Sequence, residues 1–219
     1  MSVEKALKDL KGGKFVLIHD SCSRENEVDM VIAAEKVTPE AVARMRLDGG
    51  GLICIAISRE IAANLGLPFI QDVYRNSKMK IFKALEAYDI PYDEKSSFSI
   101  PINHRKTFTG ITDMDRALTI VEFAKLAKKP SATEFGKNFR TPGHVHTLIS
   151  SGIEKRRGHT ELSTTMMGLA GLTPVAAICE MMDSKTKKAL SLYKARQYAH
   201  NKIILINTDD ILSHLEVCG

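Results

Sequence analysis

Lys14-Phe15-Val16-Leu17-Ile18-His19-Asp20-Ser21-Cys22-Ser23-Arg24-Glu25-Asn26-Glu27-Val28-Asp29-Met30-Val31-Ile32-Ala33-Ala34 reads as strand, charged loop, returning strand. Residues 14–19 and 28–34 are apolar runs of strand length, which leaves the polar residues between them as the connection. Three carboxylates, Glu25, Glu27 and Asp29, fall within five residues there. Their mutual repulsion has to be relieved by Arg24, by solvent or by a cation, and a divalent metal would serve. A solvated turn laced with salt bridges is the plainer reading of the same residues.

Working outward, Val3, Ala6, Leu7 and Leu10 mark an amphipathic helix closed by Gly12-Gly13. Thr38-Pro39-Glu40 is a helix start, with a capping threonine and proline at the first helical position, and Asp48-Gly49-Gly50-Gly51 ends that helix. Residues 51–57 form a continuous apolar strand, 59–65 a short helix stopped by Gly66 and Pro68, and 97–102 another strand. Thr112 with Asp115 three residues on resembles a capping box opening a helix over about 113–128. Further on, 144–149 is strand-like, 160–170 helical, and 175–179 a buried strand whose next residue is Glu180. A helix near 187–200, a strand at 202–206 and a short helix from Thr208 close the chain. This alternation predicts the α/β (α+β) class, a single domain over 1–219 with a mixed β-sheet covered by helices.

Nothing divides the chain: it has no Pro/Ser/Gly-rich linker, low-complexity tract or internal repeat. Hydrophobic residues at 44% can fill a sizeable core, and the absence of Trp leaves the packing to Ile, Leu, Val, Ala and Met, with Met166-Met167 and Met181-Met182 as core filler. The first ten residues mix Glu4, Lys5, Lys8 and Asp9 among apolar ones, which argues against a signal peptide. No apolar run approaches roughly 20 residues, so no membrane association and a cytoplasmic location are expected. Cys22, Cys54, Cys179 and Cys218 share no Cys-x-x-Cys spacing and read as reduced thiols, Cys22 as a small buried hydrophobe without a role. His19, His104, His146, His200 and His214 are taken as structural.

A second cluster lies far along the chain: Arg156-Arg157-Gly158-His159-Thr160-Glu161. It joins two guanidiniums, a glycine, an imidazole and a hydroxyl at the start of a helix, where free N–H groups and the helix dipole favour an anion such as phosphate. An ordinary basic surface pair is the competing reading. With the carboxylates of the first cluster, the chemistry is that of a metal-assisted reaction on a phosphorylated small molecule. The formal charge of +5 weakly permits a noncatalytic anion- or RNA-binding module through His104-Arg105-Lys106-Thr107-Phe108. An anionic small substrate explains the surplus at least as well, and nucleic acid is the less favoured partner.

Six motifs then occur in order. They are Asp20 with Arg24-Glu25-Asn26-Glu27-x-Asp29; Gly50-Gly51-Leu52-Ile53-Cys54; Thr109-Gly110-Ile111-Thr112-x-x-Asp115-Arg116; Thr141-Pro142-Gly143-His144-Val145; Arg156-x-Gly158-His159-Thr160-Glu161; and Ile178-Cys179-Glu180. Together they resemble the 3,4-dihydroxy-2-butanone 4-phosphate synthases of riboflavin biosynthesis, over roughly residues 3–206. The stretches 93–100 and 103–112 look most like archaeal, monofunctional members, and the chain's length leads us to expect no second module. Val28 departs from the pattern, where Gly or a small polar residue is frequent, and Ile149-Ser150 replaces a frequent Arg-Ala.

The resemblance implies conversion of D-ribulose 5-phosphate to L-3,4-dihydroxybutan-2-one 4-phosphate and formate, with Mg²⁺ or Mn²⁺, no organic cofactor, and a homodimer with sites near the interface. Another metal-dependent sugar-phosphate isomerase or lyase would share these residues without releasing formate. The pattern places the metal on Glu25 and His159. It assigns substrate contacts to Arg24, Glu25, Asp29, Arg156, Gly158, His159, Thr160 and Glu180, with Arg157 completing the binding segment though turned to solvent. Glu180, His144, Asp29 and Glu27 are the proton movers, His144 reaching the other subunit's substrate, and Cys54 is a further neighbour. The implied course removes the C3 proton beside the C2 ketone, loses the C1 hydroxyl, migrates a carbon and expels C4, each step needing a positioned proton carrier.

Overall fold

The computed structural model describes residues 2–200 and 202–218, with the side chains of Ser2 and Cys218 left out. The expectation of a reduced Cys218 therefore lies outside the described side chains. The strands are β1 (Val16–His19), β2 (Val28–Ala33), β3 (Cys54–Ile57), β4 (Ile102–His104), β5 (Phe139–Ile149), β6 (Val175–Glu180), a small hairpin of β7 (Met182–Asp183) and β8 (Lys188–Ala189), and β9 (Ile204–Asn207). All but the hairpin join one mixed seven-stranded sheet in the order β4-β5-β3-β6-β2-β1-β9. The pairs β1·β9 and β3·β5 are parallel and the others antiparallel.

Strand periodicity sorts the side chains onto two faces. Leu17, Met30, Ile32, Ile55, Ile57 and Ala177 pack into one core; Val16, Ile18, Val31, Cys54, Ala56 and Ile178 pack into the other. The helices α1 (Ser2–Lys11), α8 (His159–Leu169) and α10 (Thr208–Cys218) cover the second face and touch one another. On the first lie α2 (Pro39–Arg44), α3 (Arg59–Leu65), α6 (Asp113–Ala127) and α9 (Leu192–Ala199). The helices α4 (Ile70–Asn76), α5 (Lys80–Ala84) and α7 (Ala132–Asn138) are short and bury none of their residues. Caps fix several starts as expected: Thr38 Oγ1 accepts from Ala41 N at 3.2 Å and Thr112 Oγ1 from Asp115 N at 3.1 Å, each worth about 1 kcal/mol.

Several local expectations are corrected. The strand read at 97–102 lies later, at β4. Residues 97–99 are extended and bond to β5 through Ser99 N→Thr147 O and Ile149 N→Ser97 O, with only the single bridge Phe98–Leu148, before Pro101 interrupts with no N–H to offer. The helix read near 187–200 begins only at Leu192. Lys187 adopts a left-handed φ of 64° in the β7–β8 turn, and Ser191 supplies the N-cap. Met182 is exposed on that hairpin rather than core filler, and Cys22 is exposed on its loop.

Candidate active site

The loop between β1 and β2 is folded around Asp20. Its buried carboxylate accepts the backbone N–H of Glu25 at 3.0 Å and of Glu27 at 3.1 Å, and its own carbonyl takes the Thr208 hydroxyl. Glu25 is thereby turned toward the start of α8, where its Oε2 lies 3.3 Å from His159 Nδ1. The other ring nitrogen, Nε2, lies 3.3 Å from the Glu27 carbonyl and 3.7 Å from Asp29 Oδ1. Asp20, Glu25 and His159 each offer a ligand atom within 4.8 Å of the others.

The electrostatics follow from that crowding. Burial opposes the charged imidazolium of His159, but Asp29, Glu25 and Asp20 outweigh it and push its pKa up to about 9. Burial also opposes the Glu25 carboxylate, yet the His159 hydrogen bond and the Arg24 and Arg156 charges hold it below the ordinary range. Asp29 is fully enclosed on β2, and burial drives its carboxyl well above the usual value despite His159. Glu27 is raised too, by burial and then by the charges of Glu25 and Glu180. Asp29 Oδ1 is a buried oxygen with no hydrogen-bond partner. An orphaned carboxylate oxygen beside a carboxylate–imidazole set is what a hard divalent cation satisfies.

Next to this set stands the anion cradle. α8 opens at Gly158, which offers no side-chain cap to the helix's free N–H groups. A Cβ there would lie 2.4 Å from Arg156 Nη1 and 2.7 Å from Arg24 Nη1, so only glycine lets both guanidiniums close on the helix start. Arg156 is anchored to the buried Glu161 at 2.5 Å, and Glu161 Oε1 takes the Ser151 N–H at 2.8 Å. Burial opposes the Arg156 charge, but Asp93 and Glu161 hold its pKa above the ordinary guanidinium value.

Glu25, Asp29, Arg156, His159, Thr160 and Glu180 line one cavity of about 130 Å³. Glu180 reaches it from the end of β6, its Oε2 accepting the Leu52 N–H at 2.7 Å. Glu27, Arg24 and Gly158 do not line it but touch residues that do, Glu27 through its carbonyl 3.3 Å from His159 Nε2, Arg24 through Asp93, and Gly158 as the residue before His159. Arg157 faces solvent outside it. Cys54 is buried on β3 opposite Ile178, its thiol pushed well up by burial and then by Glu180 and Asp29, so it stays protonated. His144 is not in the cavity: it is exposed on β5, where Asn103 Oδ1 accepts its backbone N–H at 2.8 Å and Asn103 Nδ2 lies 3.1 Å from its ring Nδ1.

Asp20 and Glu161 belong to the quoted motifs, yet their parts as loop organiser and arginine anchor become visible only in space. The stripe from His104 to Phe108 is divided: His104 is buried edge-on against Phe139 and Arg105 bonds the Gly136 carbonyl at 3.2 Å, while Lys106 and Phe108 are exposed.

The chain is similar to known proteins. A family profile for 3,4-dihydroxy-2-butanone 4-phosphate synthase matches residues 4–214. The chain is 46% identical over 220 residues to the protein of that name from Methanothermobacter thermautotrophicus, covering 98% of this chain and 96% of the relative. It is also 46% identical to the one from Archaeoglobus fulgidus over 226 residues, 98% of this chain and 94% of the relative. A crystal structure of a 3,4-dihydroxy-2-butanone 4-phosphate synthase in complex with two magnesium ions superposes with a TM-score of 0.80 at 28% identity, over 99% of this chain and 97% of that one.

Proposed function

The chain belongs to the 3,4-dihydroxy-2-butanone 4-phosphate synthase family, and from that premise we propose how its residues divide the reaction among themselves. It is a lyase of riboflavin biosynthesis that converts D-ribulose 5-phosphate to L-3,4-dihydroxybutan-2-one 4-phosphate and formate, with a divalent metal. The observation that carries the residue assignment is the meeting of Asp20 and Glu25 with His159, which lies 134 residues beyond Glu25 in the chain, beside the Arg24–Arg156 cradle.

In this reading Glu25 and His159 hold Mg²⁺ or Mn²⁺, and Asp20 fixes the loop that aims Glu25. Bound there, the ion supplies a Lewis acid that stabilises negative charge developing on neighbouring substrate oxygens by several kcal/mol. Arg24, Arg156 and the N–H groups opening α8 at Gly158, His159 and Thr160 take the phosphate. Asp29 and Glu27, whose carboxyls are raised by burial and by the neighbouring carboxylates, serve as proton carriers. Glu180, aimed by the Leu52 N–H, serves as a third proton carrier.

His144 acts on the substrate of a second subunit in a homodimer. Support comes from a band of exposed apolar side chains: Leu47, Leu52, Phe108, Ile111, Met114 and Met182. The Arg46–Asp113 ion pair at 2.9 Å ties the Leu47 turn to the Ile111–Met114 turn, and Asn103, which grips His144, lies against Gly110. Covering such a band is what an isologous dimer contact does. No helix of the described residues is long and apolar enough to cross a membrane, and we place the reaction in the cytoplasm.

The experiment is formate release from D-ribulose 5-phosphate with Mg²⁺, with an EDTA arm and a His159→Ala arm. Stoichiometric formate, lost in both arms, is the expected result. Undiminished formate from folded His159→Ala overturns the metal assignment, and none from the metal-loaded native protein overturns the reaction.

A further inference from the structure

We propose that Asp93 sets the specificity of the anion cradle: its carboxylate is an internal occupant of the Arg24–Arg156 pair, which a substrate phosphate has to displace. The inference rests on the reading that those two guanidiniums hold the phosphate. One oxygen, Asp93 Oδ2, takes three donors at once, Arg24 Nη2 at 2.5 Å, Arg156 Nε at 3.0 Å and Arg156 Nη2 at 2.8 Å. Those are the edges a phosphate oxygen would use. Of the remaining sides, Arg156 Nη1 is committed to Glu161 at 2.5 Å, while Arg24 Nη1, 3.5 Å from Asp20, is buried without a hydrogen-bond partner.

Charge makes the two occupants exclusive. Four carboxylates, Asp20, Glu25, Asp93 and Glu161, stand within ion-pair distance of the two guanidiniums. A dianion arriving with Asp93 seated would enter a cluster that is already net negative, even with His159 protonated. With Asp93 withdrawn it meets the open edges of both arginines.

The segment carrying Asp93 is irregular and unburied, held outside the cradle by the Glu86–Arg75 ion pair at 2.5 Å and by Lys95, 3.8 Å from the Phe69 ring centroid. Residues 85–97 form neither helix nor strand, and none of residues 85–96 is buried. Besides Asp93 itself, the Tyr92 ring, 5.6 Å from the Arg24 guanidinium carbon, ties it to the cradle. Beyond Asp93 a cavity of about 390 Å³ is lined by Arg59, Lys95 and Lys155, none of which makes an ion pair among the described residues. A displaced carboxylate would find cations there. Because its removal has to be compensated, a neutral ketose gains too little to open the cradle, whereas a phosphate dianion, interacting more strongly with two guanidiniums than one carboxylate does, opens it.

The test measures inorganic phosphate binding to the full-length protein by calorimetry, and kcat and KM for D-ribulose 5-phosphate and D-ribulose. Asp93→Asn, with Asp93→Ser as a second variant, is expected to bind phosphate about tenfold more tightly, from removal of a like charge. The KM for D-ribulose 5-phosphate should fall in parallel, and the preference for phosphorylated over free ketose should narrow. Unchanged or weaker phosphate binding in both folded variants overturns the proposal, since that is what a brace for the guanidiniums would give. Arg156→Lys separates the underlying reading: it should weaken phosphate binding several-fold, and unaltered binding there removes the phosphate assignment and the proposal with it.

Discussion

Asp29 and Glu180 stand directly opposite each other in the β2–β6 ladder, and both carboxylates line the cavity under the start of α8. Like charges placed across a ladder repel, and here the repulsion adds to burial in raising the Asp29 carboxyl. The pairing therefore gives the site one carboxyl that favours its protonated form next to one held by a backbone N–H. Asp29→Asn keeps the shape and removes the titration. Formate release should fall by about 10²-fold or more while the melting temperature moves by only a few degrees, because the lost partner is an oxygen without a hydrogen bond. A formate assay beside a thermal melt checks both halves.

His159 gives a pH dependence whose sign is fixed by its pKa of about 9, raised from 6.5. The folded metal-free state binds the proton more tightly than the unfolded chain. This stabilisation is thus fully present below about pH 6.5 and disappears as pH rises through 9, a loss on the order of 1–3 kcal/mol. The metal-free protein should melt at progressively lower temperature from pH 6.5 to 9. A metal on His159 must displace that proton, so Mg²⁺ or Mn²⁺ affinity should rise over the same window with about one proton released per site. Calorimetry in two buffers of different ionisation enthalpy counts it; zero release would remove His159 from the ligand set.

Two glycines separate binding from folding. At Gly158 an added Cβ meets only the ends of two long side chains, and its φ of −88° suits any residue, so Gly158→Ala should fold normally. The guanidiniums would be pushed apart, and KM should rise about tenfold, as for a lost charge-assisted contact. At Gly143 the added Cβ would sit 1.9 Å from the Ile102 carbonyl carbon, in backbone that cannot give way. Gly143→Ala should cost about 3 kcal/mol or more and lower the melting temperature sharply.

The fold was legible wherever one short signal decided it. Thr38 and Thr112 announce their helices, and the apolar runs ending at His19 and Cys179 place β1 and the central β6. It was illegible where the structure rests on contacts distant in sequence. The helices α4 and α5 carry apolar residues, but they are held to each other by the Tyr74–Phe82 stack at 4.3 Å rather than by a buried face, so no core-facing periodicity betrays them. Ser191 was a readable cap that the charged stretch before it concealed. At the site, Glu25 and His159 were reachable through motif order, whereas the hold of Asp93 on two arginines 69 and 63 positions away has no local signature at all.

His144 supplies the last prediction, since its distance from the cavity can be turned into a count of active sites. If each site combines Glu25 and His159 of one subunit with His144 of the other, then His144→Ala and Glu25→Gln homodimers are both inactive, but each mixed dimer regains one complete site. After unfolding and refolding of an equimolar mixture, half of the dimers are mixed and each has one good site of two, so formate release should recover to about a quarter of the native value. Sites complete within one subunit would give no recovery, whatever the mixing ratio. The same experiment with Phe108→Glu added to both chains tests the interface: a charge in the exposed apolar band should yield monomers by sedimentation and abolish the recovery, while the His144→Ala chain, whose Glu25 and His159 are intact, keeps its metal affinity.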